Sequence, residues 1–155
     1  MPLETLLREE LAAVEALHDL LRQEHDALRT RDAPTLERLA GEKQACADGL
    51  RGLETRRLNL LRERGLPTEP PGWTTALAAA APAERASLAE LMTALERATA
   101  QARDQNDLNG AIIAASRNHV EQALTILSGR DPLDCLYGQD TRRVFGHDTN
   151  PIAKA

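Results

Sequence analysis

Four histidines and two cysteines are the side chains of this 155-residue chain that could ligate a metal, carry a phosphoryl group or act as nucleophiles. Glu15-Ala-Leu-His18 has the Glu-x-x-His spacing that sets a carboxylate and an imidazole on one helix face, as in di-iron bundles. Such a centre needs two of these motifs and two further glutamates. Neither His25 nor His119 has a glutamate three residues before it, so the second motif is missing. A phosphotransfer histidine must be exposed on a helix of a bundle, and His18 and His119 meet that description only loosely. Cys46 and Cys135 lie far apart and in no metal-binding spacing. Cys46 falls on an apolar stripe, where a small buried thiol is ordinary. No phosphate-binding loop, nucleophile–base pair or paired-carboxylate constellation is present. The expectation is a protein that is not an enzyme and has no catalytic residue, metal or cofactor.

The composition says what kind of scaffold carries these residues. Ala supplies 26 residues and Leu 25, against seven Val and Ile together, and the only aromatic residues are Trp73, Tyr137 and Phe145. Sheets draw on β-branched and aromatic residues, so β-sandwiches and parallel α/β folds are excluded in favour of an all-α protein. Charged residues make up 28% of the chain, and no apolar run approaches the roughly 20 residues of a spanning helix. Membrane insertion is therefore not expected. The net charge of −5 divides into −3 over residues 1–31, +1 over 32–65, −3 over 66–128 and 0 over 129–155. No segment forms a basic arm or stripe, which argues against nucleic acid as a partner. Met1-Pro2-Leu3-Glu4-Thr5 lacks the basic region and long apolar core of a secretory signal, and two scattered cysteines suit a reducing cytosol.

Apolar periodicity places the elements. Leu7, Leu11, Val14, Leu17, Leu21 and Leu28 recur in steps of three, four or seven and predict a helix over residues 2–30. Arg31-Asp32-Ala33-Pro34 breaks it, with Asp32 able to cap the next helix and Pro34 tolerated in its first turn. A second helix is predicted over about 33–64, with the stripe Leu36, Leu39, Lys43, Cys46, Leu50, Leu53, Arg57 and Leu60. Gly65 fits the left-handed position after a helix end, and Pro67 prevents continuation. The short connection makes these two an antiparallel hairpin, each helix roughly 45 Å long. Residues 65–74, which include Trp73, read as a loop rich in proline and glycine, followed by a short Ala-rich turn. One long third helix is predicted from about Pro82 to Ser128, with Gly110 as the place for a bend. Together these form a coiled-coil-like three-helix bundle domain over residues 1–128. Residues 129–155 have no apolar periodicity and read as a flexible, partner-binding tail.

Polar residues on the stripes carry more information than the histidines. Lys43, Arg57, Asn106 and Asn109 fall where a seam expects Leu, and polar seam residues fix register at a cost in stability. Residues 108–127 are the most apolar helical stretch, with Leu108, Ile112, Ile113, Val120, Leu124, Ile126 and Leu127. The third helix is longer than the hairpin can cover. Part of this stripe is therefore expected to be open to another helix or to a second copy.

Gln105-Asn106-Asp107-Leu108-Asn109-Gly110-Ala111-Ile112-Ile113, then Val120-Glu121-Gln122-Ala123-Leu124, Leu127 and Leu136-Tyr137-Gly138 resemble the FlgN-type flagellar export chaperones. That family shows an Asn-x-x-Asn-Gly element before an apolar pair, an Ala-Leu-rich turn and a Leu-Tyr-Gly tail motif. Glu42-Lys43, Arg57, Leu60-Leu61 and Gly65 are similar to its second helix. One departure is Asp140-Thr141-Arg142, where family tails usually continue with a glycine.

The resemblance implies a cytosolic, bacterial, non-enzymatic chaperone of the type III export system. Its partners would be the hook–filament junction (hook-associated) proteins and a component of the flagellar export gate. Carried over by position, Ile112, Ile113, Val120, Leu124 and Leu127 would face the substrate protein. Leu136, Tyr137 and Gly138 would contact the gate or the substrate, and Asn106, Asn109 and Gly110 would form the family's register motif. A coiled-coil adaptor or self-assembling structural protein is the competing reading, and monomer and homodimer both stay open.

Overall fold

The computed structural model describes residues 2–68 and 72–128. They form four helices, α1 (Pro2–Thr30), α2 (Ala33–Glu63), α3 (Gly72–Ala79) and α4 (Pro82–Leu127), and no strand occurs among the described residues. Ala and Leu lose little on entering a helix, which is why such long elements form from this composition.

The predicted punctuation acts as expected at both ends of α2. The Asp32 carboxylate accepts hydrogen bonds from the Thr35 backbone N–H at 3.2 Å and from the Thr35 hydroxyl at 2.6 Å. Pro34 sits in the first turn, where a missing N–H costs no intrahelical bond. Arg31 takes the left-handed conformation (φ 55°), and the Asp32 N–H donates back to the Ala27 carbonyl at 3.0 Å. At the far end Gly65 adopts φ 65°, donating to the Arg62 carbonyl while Leu66 donates to Leu61, both at 2.9 Å. This is the glycine-terminated cap that satisfies the last carbonyls of a helix.

One expectation needs correction. The loop after Gly65 is shorter than expected: α3 begins at Gly72, so Trp73 is helical rather than part of the loop. Once past Pro71, nothing in Thr-Thr-Ala-Leu-Ala-Ala opposes a helix, and the Pro-Pro-Gly run marks only its start. Arg85 closes α3 by donating to the carbonyls of Leu77 (3.1 Å), Ala78 (3.3 Å) and Ala80 (3.2 Å). Helix α4 runs uninterrupted through Gly110.

Contacts divide the chain into Met1–Ala111 and Ile112–Ala155. The core belongs to the first unit. Leu3 and Leu7 of α1 pack with Ala80, Leu88 and Leu91, and Leu60 and Leu77 extend that cluster. Further along α1, Val14 and Leu21 pack with Ala98 and Ala102 of α4, and Leu17 and Leu50 adjoin them. The buried apolar side chains among the described residues are Leu and Ala with Val14, matching a chain that has almost no aromatic residues. In the second unit the described residues, 112–128, comprise the C-terminal part of α4 and Ser128. The expected tail, with Leu136, Tyr137, Gly138, Phe145 and Cys135, lies outside the described residues.

Candidate partner-binding face

Three of the four polar seam residues find partners on α1. Glu24 on α1 is buried and joins three helices. One carboxylate oxygen accepts from Lys43 Nζ of α2 at 2.5 Å, the other from Asn109 Nδ2 of α4 at 2.8 Å. Asn109, only 1% exposed, also donates to the Leu21 carbonyl at 2.8 Å and accepts from Gln105 Nε2 at 3.0 Å. A second buried pair, Arg57 Nε to Glu10 Oε1 at 2.9 Å, ties α2 to α1, with the more exposed Arg56–Glu9 pair beside it. Asn106 is exposed at the seam's edge. A buried carboxylate must be matched by its own cation, so these pairs fix how α2 and α4 align on α1.

Burial and hydrogen bonding push the acidic groups in opposite directions. Glu10 is raised above the ordinary value of 4.5, chiefly by burial, against the pull of the Arg57 guanidinium. Glu4 is lowered from 4.5, first by the hydrogen bond from Arg8 and then by that from Ser87. The stability that Glu10 contributes through this shift is full below the unfolded value and is lost as pH rises through its higher folded midpoint. Glu4 has the opposite sign: its contribution is present above the unfolded value and lost as pH falls through its lower folded midpoint. Carboxyl carbon NMR should therefore give a Glu10 midpoint above 4.5 and a Glu4 midpoint below it; coincident midpoints would contradict the burial of Glu10.

The other chemical candidates are quiet. The Cys46 thiol donates to the Ala13 carbonyl at 3.4 Å, and burial pushes its pKa up, away from the reactive thiolate. Among the described residues no group of three or more His, Cys, Asp or Glu is placed to hold a metal ion. No helix among them is long and apolar enough to cross a membrane.

What stands out instead is an apolar helix face. On α4, Ile113, Val120 (56% exposed), Leu124 (60%) and Leu127 (83%) follow one another at steps of seven, four and three, which places them on one side of the helix. Leu108 and Ile126 are exposed as well, while Ile112 is half-buried. Scattered surface leucines are ordinary, whereas four large aliphatic side chains exposed on one side of a helix make a candidate contact surface.

Fold and site together define an all-helical bundle protein with an exposed apolar helix face. More specifically, the profile of the FlgN protein family matches residues 1–143, and the chain belongs to that family. It is similar to the crystal structure of a flagella synthesis protein FlgN from Pseudomonas aeruginosa, at 27% sequence identity and a TM-score of 0.63. That match covers 70% of this chain and 84% of the other. No curated protein matches the chain. The family consists of non-enzymatic proteins of flagellar synthesis, so the resemblance of the Asn-x-x-Asn-Gly and Leu-Tyr-Gly elements pointed to the right family.

Proposed function

We propose that this protein is a cytosolic export chaperone that binds the C-terminal segments of hook–filament junction proteins. It keeps them from assembling prematurely or being degraded, and delivers them to the flagellar export gate. The observation that carries the reading is the exposed Ile113–Val120–Leu124–Leu127 stripe on α4 in a member of the FlgN family. An amphipathic segment laid on such a stripe is held by aliphatic burial, worth roughly 1.5–3 kcal/mol for each fully covered side chain. Ordering a partner segment offsets part of that gain, which keeps the complex releasable. Release matters, because the cargo must be handed on.

Residues 129–155 serve in this reading as the partner-binding tail. Leu136, Tyr137 and Gly138 contact the export gate or the substrate, since a tyrosine buries a large area with few rotatable bonds and keeps a hydroxyl for a hydrogen bond. Co-purification of untagged partners from the source cell tests the proposal. Junction proteins should come down with the full chain, and deleting 129–155 should weaken binding or delivery. A chain that elutes only with further copies of itself supports the self-assembling reading instead.

A further inference from the structure

We propose a second interaction surface, separate from the exposed stripe on α4. It is the groove bounded by α1, α2 and α4, and its occupant is an amphipathic helix of a partner protein whose apolar stripe is flanked by aspartate or glutamate. The groove holds about 600 Å³ and is open rather than enclosed. Val14, Leu17 and Leu21 of α1 and Leu50 of α2 provide its apolar lining, with Lys43 on the α2 side and Arg103 on the α4 side. It exists because α2 is incompletely covered: between Leu39 and Leu61 that helix has no fully buried residue, whereas α1 buries eight along its length. Small side chains such as Ala47 and Ala102 line it where a leucine would have filled it.

Charge decides the occupant. The chain carries a net charge of −5, yet the groove lining contains two cations and no carboxylate. Lys43 is engaged by Glu24 from below, and Arg103 is exposed. Because Glu24 neutralises Lys43, Arg103 is the cation left on the groove's rim. An apolar floor beside it fits a helix that presents leucine-like residues at i, i+3 and i+4 with an acidic neighbour, and disfavours the basic counterpart.

The test uses two fluorescent helical peptides with the same leucine stripe, one flanked by glutamate and one by lysine, titrated into the full chain by fluorescence anisotropy. The glutamate peptide should bind about tenfold tighter than the lysine peptide, and the difference should shrink as salt screens it. Arg103→Glu should abolish that preference. Ala47→Glu, which keeps a good helix former in α2, should weaken the glutamate peptide by about tenfold or more, by adding both bulk and repulsion. Val120→Asp with Leu124→Asp removes binding of either peptide at the α4 stripe and should leave the difference between them intact. Should Ala47→Glu reduce the circular dichroism signal, exposed Arg103→Glu still decides the point. Equal affinity for the two peptides would overturn the proposal, and so would sensitivity to the α4 pair but not to Ala47 or Arg103. A chain that is dimeric in light scattering and made monomeric by Ala47→Glu would assign the groove to a second copy, which also overturns it.

Discussion

Replacing Val120 and Leu124 together by Asp is expected to weaken binding of junction-protein C-terminal peptides by about 100-fold or more while leaving the melting temperature unchanged. Both side chains are more than half exposed in the free chain, so little folded-state packing is lost. Exposed substitutions of this kind usually change stability by less than about 0.5 kcal/mol. In the complex the same side chains would be covered. Covering the exposed part of two aliphatic side chains, at roughly 1–2 kcal/mol each, supplies most or all of the 2.7 kcal/mol or so that corresponds to 100-fold. Burying a carboxylate there adds to the loss. Calorimetry on the double variant, with thermal melts alongside, checks both halves. Unchanged affinity would remove the α4 face from substrate binding. If the stripe served self-assembly, Ile113→Asp with Val120→Asp would convert oligomers to monomers in light scattering.

Glu24→Ala should destabilise the bundle by about 3 kcal/mol, the largest stability loss expected from a single polar substitution. It leaves the Lys43 ammonium and the Asn109 amide without the oxygens that hold them at 2.5 and 2.8 Å. Breaking a buried pair by removing one partner commonly costs about 3–5 kcal/mol. Lys43 keeps a quarter of its side chain exposed and can recover some hydration, which places the estimate at the lower end. Asn109 has no such escape. The triple change Glu24→Leu, Lys43→Met and Asn109→Leu removes all three polar groups at once and should recover most of the stability, because only the half-buried Gln105 amide loses a partner and it can turn to water. Denaturant melts of both variants separate the two effects. A Glu24→Ala loss below about 1 kcal/mol would mean that the three-helix junction does not align the bundle.

Much of this architecture could be read from residue types and spacing. Leu7, Val14 and Leu21 mark α1's inner face, Asp32 caps α2, and Gly65 ends it, because each acts through its immediate neighbours. The Glu24–Lys43 and Glu10–Arg57 pairs are nonlocal and were missed. Their signal was nonetheless in the sequence: each pair lies symmetrically about residues 33–34, within two residues of the Arg31–Asp32 connection, as antiparallel helices joined there require. Lys43 and Arg57 stood out because cations are unexpected on an apolar stripe, whereas a glutamate on α1 looks like ordinary surface until its partner is placed. Trp73 reads as loop because prolines and glycine dominate residues 65–72, while the helix-forming run that follows them is short. The apolar stretch of α4 was visible as composition. That Val120, Leu124 and Leu127 are exposed depends on which other helices reach them, and periodicity does not carry that information.

The most direct test of the central claim is calorimetric titration of the full chain with peptides from the C-terminal ends of hook–filament junction proteins. Equal-length peptides from the middle of the same proteins serve as controls. The account predicts saturable one-to-one binding of the C-terminal peptides and none of the controls, with a negative heat-capacity change from burial of the α4 stripe. Absence of binding by every C-terminal peptide to the full chain would contradict it.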